Sequence, residues 1–260
     1  MRDSGIEPVR ERLEALGFQV QRIAENPTER RPDLRASKSG TTTWVEVKTR
    51  ALDSELRARM ESVSVGATES ILVPLDKRNW LSADVKKAST QLEAAAKPDE
   101  FRLLWFRVDN ELFVQDAREQ IGATLLGIRM VFGRRNGERR VRHCVYAGFA
   151  DFRRYTAIDG AMIEVDEALT LISNPFSPRQ QAFATSPIHK AVEPAIVNAP
   201  PQLEREDRCY IVDFDINRKD DEAILAFLRT KYPTDEFLRF GPAFAGTTVT
   251  TIDARQGKGA

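Results

Sequence analysis

The sequence is poor in the residues that mark a stapled or metal-clustered protein: its 260 residues include two cysteines, Cys144 and Cys209, and two histidines. The cysteines lie far apart with no CxxC spacing, which argues against a disulfide framework and a zinc site and leaves reduced thiols as the reading. His189 sits in loop-like sequence, and a single histidine without a partner marks no catalysis. An excess of charge of one sign is also missing. With 39 basic and 39 acidic side chains the formal net charge is zero, so any surface for a polyanion has to be local. There is no run of eighteen apolar residues, and the opening "MRDSGIEPVRERLEALGF" carries charges where a signal core needs apolar side chains. The expectation is a cytoplasmic protein without a membrane partner. What is present, 42% hydrophobic and 30% charged residues, describes a globular chain long enough for one large domain or a medium one plus a smaller one.

"EPVRERLEALGFQV" reads as a short amphipathic helix, with Pro8 just inside its start, apolar residues at Val9, Leu13 and Leu16, and Gly17 as its stop. "FQVQRIA" and the segment from Leu34 to Ser37 read as strands. "SKSG" turns the chain into "TTTWVEVKT", the most strand-like run of the first half. A charged helical stretch over 54–61, the apolar run "SILVPL" and a helix across "SADVKKASTQLEAAAK", with Ser82 as N-cap, come next. "FRLLWFRVDNELFVQD" suggests two strands about an Asp109-Asn110 turn, and "GIRMVFGRRNGERRVRHCVYAGF" a hairpin about Asn136-Gly137. "GAMIEVDEALTLI" is a further strand or short helix. Residues 173–206, with six prolines, read as a loop or linker, and "CYIVDFDI" followed by "DDEAILAFLRTKY" as a strand and a helix. These elements predict an α/β fold, a mixed central sheet flanked by helices, with an additional C-terminal α+β region.

The charged strand "WVEVK" is the most informative feature. Residues two apart share a face, so Glu46 and Lys48 stand together while Val45 and Val47 point the other way. A solvated strand face with a surface ion pair, worth less than about 1 kcal/mol, explains that much. Asp33, thirteen residues upstream of Glu46, adds more: antiparallel neighbours joined by "SKSG" bring the two carboxylates together. Two carboxylates near a lysine suit Mg²⁺, which takes few protein carboxylates and keeps several waters. Lys48 would then serve the attacking water or the charge on a phosphoryl group.

"PD" at Pro32-Asp33 followed by "EVK" at Glu46-Val47-Lys48 resembles the PD-(D/E)XK motif of the restriction-endonuclease-like nuclease superfamily. The pattern is most similar to the Holliday junction resolvase and Mrr-like branches, where a helix glutamate precedes a "GF". Gly17-Phe18 supplies the "GF", Glu7 stands where the glutamate falls, and Glu11 one turn on competes with it; an ordinary solvated helix charge explains either as well. "KKASTQL" resembles the helix after the lysine strand, with Lys87 and Gln91 as auxiliary residues, although the tyrosine that follows the glutamine in the RecB-like branch is absent.

The resemblance covers residues 5–115 and implies a nuclease-like domain at 1–118. It would be followed by a basic hairpin region at 119–172, the Pro-rich linker at 173–206, a small βα unit at 207–252 and a disordered tail at 253–260. It implies a Mg²⁺-dependent endonuclease, with Mn²⁺ substituting, in a defence, restriction or repair setting. Asp33, Glu46, Lys48 and Glu7 would be the catalytic residues, with Asp33 and Glu46 holding the metal and Glu7 an auxiliary ligand or base. Arg134, Arg135, Arg139, Arg140 and Arg142 on the basic hairpin are candidates for holding a nucleic-acid backbone, or simply keep the hairpin tip soluble. DNA is the expected substrate, and a homodimer or a larger assembly follows by analogy alone. Two alternatives stand: an inactive nucleic-acid-binding or scaffold subunit with the same fold, and an RNase, toxin-like or tRNA-directed.

Overall fold

A computed structural model of the chain describes residues 5–24, 26, 31–50, 68–74, 79–108, 114–165, 168–192, 200–241 and 244–250. The chain runs through α1 (Ile6–Ala15), β1 (Gln19–Arg22), β2 (Leu34–Lys38), β3 (Thr41–Arg50), β4 (Thr68–Pro74), α2 (Asn79–Ala95) and β5 (Phe101–Val108). It continues through α3 (Val114–Leu126), β6 (Arg129–Arg135), β7 (Glu138–Val145), α4 (Asp151–Arg154), β8 (Gly160–Val165) and β9 (Ala168–Ser173). The last elements are α5 (Gln180–Ala184), α6 (Pro187–Ala191), α7 (Pro200–Arg205), β10 (Cys209–Ile211), α8 (Asp221–Lys231), β11 (Asp235–Gly241) and β12 (Phe244–Thr250).

Six strands form the main sheet in the order β1-β2-β3-β5-β8-β9. The first three are an antiparallel meander, β3, β5 and β8 are parallel, and β9 closes the far edge antiparallel. The parallel centre has to be covered on both faces, and β5 is accordingly buried almost throughout its length. Ile6, Val9 and Leu13 of α1 cover one face, together with Phe183, Ile188 and Val192. Leu81, Val85, Ala88 and Leu92 of α2 cover the other, together with Ile121 and Leu125 of α3. α1 ends in a Schellman arrangement, in which Gly17 has φ +82° and the Phe18 N–H returns to the Leu13 carbonyl at 3.1 Å.

A second sheet, β10-β7-β6-β11, is built on the 129–145 hairpin, whose Asn136-Gly137 turn takes positive φ at both residues. Its inner face packs on α8 through Val131, Cys144, Tyr210, Ile224, Leu228 and Phe237. β4 and β12 pair as a separate antiparallel ribbon.

The structure departs from the sequence reading in several places. The second strand expected after Asp109-Asn110 is absent among the described residues: the turn itself lies outside them, and from Val114 the chain is the helix α3, whose Ile121 and Leu125 fall four apart on one buried face. Ser82 lies inside α2, which begins at Asn79, and is not its N-cap. The sheet does not end at 118, because β8 and β9 extend it. Residues 173–206 are no free linker either: α5, α6 and α7 lie there, and Phe183 and Ile188 are fully buried. The helical stretch at 54–61 and the tail at 253–260 fall outside the described residues.

Candidate active site

β2 and β3 are joined through Ser39 and Gly40, both at positive φ, and the register pairs Leu34 with Val45. Asp33, just ahead of β2, therefore lies across from Glu46. Its Oδ2 accepts the Val47 N–H at 2.7 Å, which fixes the carboxylate against β3. Glu46 and Lys48 share the face that α2 covers, and Lys48 Nζ donates to Glu46 Oε1 at 2.5 Å. Gln91 on α2 completes the group, its Nε2 donating to Glu46 Oε2 at 3.1 Å and to the Arg31 carbonyl at 2.9 Å. Asp33, Lys48 and Gln91 thus gather around the Glu46 carboxylate.

Glu46 is 2% exposed. Burial pushes its pKa up to about 7, the charge of Asp33 adds to the shift, and the Lys48 ammonium and the Gln91 hydrogen bond pull against it. A buried carboxylate crowded by a second one is the electrostatic situation that a divalent cation relieves, and the oxygen-only donor set suits Mg²⁺ or Mn²⁺. Among the described residues no group of three or more His, Cys, Asp or Glu side chains gathers for a metal, so the site offers two carboxylates and would leave the remaining positions to water.

The other sequence candidates are placed differently. The Glu7 carboxylate receives Arg10 at 2.8 Å and Arg22 at 3.3 Å. The Arg10 hydrogen bond holds it below the usual carboxylate range. Glu11 and Lys87 are exposed.

The basic hairpin divides by face. Arg135 pairs with Asp235 and, at 3.0 Å, with Asp207; Arg140 donates to Asp207 at 2.5 Å, and Arg142 to the Asp207 carbonyl at 3.1 Å. These three arginines tie β10 and β11 to the hairpin through Asp207 and Asp235. Arg134 and Arg139 are exposed. The acidic partners that sequence reasoning missed carry no local signal, since Asp207 and Asp235 lie 65 to 100 residues from the arginines they bind.

His189 packs edge-on against Phe183, and Asp213 accepts Lys231 at 2.8 Å, both structural contacts. Comparison with protein-family models, with curated proteins and with solved structures finds no match for this chain.

Proposed function

We propose that the chain is a metal-dependent nuclease with a restriction-endonuclease-like core, hydrolysing phosphodiester bonds in nucleic acid, with DNA as the expected substrate. The observation that carries this reading is the meeting of Asp33, Glu46, Lys48 and Gln91 around a buried carboxylate. Leaving aside β4, which lies outside the main sheet, the order of helix, three antiparallel strands, helix and parallel strand is that of the motifs on which the sequence resemblance rests. Asp33 and Glu46 would hold Mg²⁺ or Mn²⁺, which when bound polarises a phosphoryl oxygen and lowers the pKa of a coordinated water. Lys48 supplies a fixed positive charge for the anionic transition state. Gln91 orients Glu46 and stabilises its ionised form.

The test is incubation of the protein with plasmid, single-stranded DNA and RNA in Mg²⁺, Mn²⁺ or EDTA. Metal-dependent cutting is expected, and Glu46→Ala or Lys48→Ala should lower it by about a hundredfold or more, as loss of one charge-stabilising group does elsewhere. Cutting that survives both substitutions would remove the site. No cutting of any substrate would favour an inactive binding or scaffold subunit.

A further inference from the structure

The four-stranded sheet has two unlike faces. The inner one is buried on α8. The outer one is covered near β10, where Val145, Cys209 and Ile211 join the core shared with α2 and α3. Towards the Asn136-Gly137 turn that face carries exposed side chains. The register sets Phe132 opposite Val141 on one side and Arg239 on the other, and Arg134 opposite Arg139 and Glu236. Val141 is 42% exposed and the Arg134 side chain 48%. The Phe132 ring lies across Gly241, where a Cβ atom would come within 2.5 Å of a ring carbon, so the glycine is what lets the aromatic lie down on β11. The Arg239 guanidinium stands 5.2 Å from the centre of the same ring.

This composition is unusual for a face meant only for solvent. Like charges directly opposite across two strands destabilise a sheet, yet Arg134 and Arg139 occupy such a position. Glu236 offsets them weakly, its nearest oxygen 3.9 Å from Arg134. Their neighbours are an aromatic ring and a guanidinium plane in contact, the two kinds of surface on which unstacked bases lie. On the inner face, by contrast, Arg135 and Arg140 are matched by the carboxylates of Asp207 and Asp235.

We infer that this outer face, formed by Phe132, Arg134, Arg139, Val141 and Arg239, is a docking platform for a single-stranded nucleic-acid segment. A phosphate lies between Arg134 and Arg139, and a base stacks on the Phe132–Arg239 pair. A duplex keeps its bases stacked on one another and offers the platform only phosphates, so the single strand binds more tightly. The platform deepens the nuclease reading and rests on it for the identity of the polyanion, but it acts without the metal and is measured without it.

The experiment uses the full chain in EDTA, with fluorescence anisotropy of a labelled oligothymidylate and of a duplex of equal length across a salt series. The wild type is expected to prefer the single strand. Phe132→Leu should weaken that binding by about tenfold, the scale of one lost stacking contact. Arg139→Gln should reduce the slope of log affinity against log salt by about 0.7, the loss of one phosphate contact to a single strand. Melting curves establish that both variants are folded. Unchanged binding in two folded variants overturns the platform, as does a poly-glutamate peptide that competes as well as the oligonucleotide. Variant-insensitive binding together with metal-dependent cutting would remove the platform and leave the nuclease reading standing. The predicted binding without cutting by any metal would do the reverse.

Discussion

Glu46 is pulled in two directions, towards the neutral form by burial and Asp33 and towards the charged form by Lys48 and Gln91. With its pKa pushed up to about 7, the ionised form needed by a cation or by the Lys48 pair is lost as pH falls through that value. Metal-dependent cutting should therefore decline below neutral pH. Gln91→Ala removes a hydrogen bond that favours the charged form, so the midpoint of the pH–rate profile should move upward, and an unmoved midpoint would show that Gln91 does not act on Glu46. At this scale the sequence was informative, because Asp33, Glu46 and Lys48 are related by a two-residue strand period and a short turn. It named Glu7 from its place on the first helix but carried no signal for the ion pair with Arg22, fifteen residues away on another element.

Local chemistry also explains which elements could be read. Ser39-Gly40 and Asn136-Gly137 form turns at positive φ, and both hairpins were legible from them. α3 was not, because part of its packing is carried by small residues: Ala123 on the side of Ile128 and Met130, and Ala117 against the main core. α5 and α6 are five residues each, too short to show a helical period, and Pro187, which reads as a loop signal, occupies the first turn of α6. Their contribution is nevertheless that of core elements. Phe183 is fully buried and meets Phe101 edge-on with ring centres 5.5 Å apart. Phe183→Ala should lower the unfolding free energy by about 3–5 kcal/mol in a denaturant titration, whereas a true linker residue would change it by a few tenths at most.

At the scale of the whole molecule, the chain leaves the main sheet after β5, builds α3 and the β6–β7 hairpin, and returns to place β8 beside β5. No sequence signal marks two strands as neighbours across so long an excursion, which is why the domain boundary fell at 118 in the sequence reading. A fragment ending there would expose the edge of β5 and lose the residues of α5 and α6 that cover one face. Residues 1–118 alone should show no cooperative thermal transition by circular dichroism, while the full chain does. The ribbon of β4 and β12 adds an order in time. Its register joins Pro74 to Phe244, positions 170 apart in the sequence (244 − 74). On a ribosome β4 is made soon after the strand that carries Glu46 and Lys48, but its partner follows only after every strand of the main sheet has been translated. Every strand of the main sheet, the one carrying Glu46 and Lys48 included, is thus synthesised before β4 has its partner.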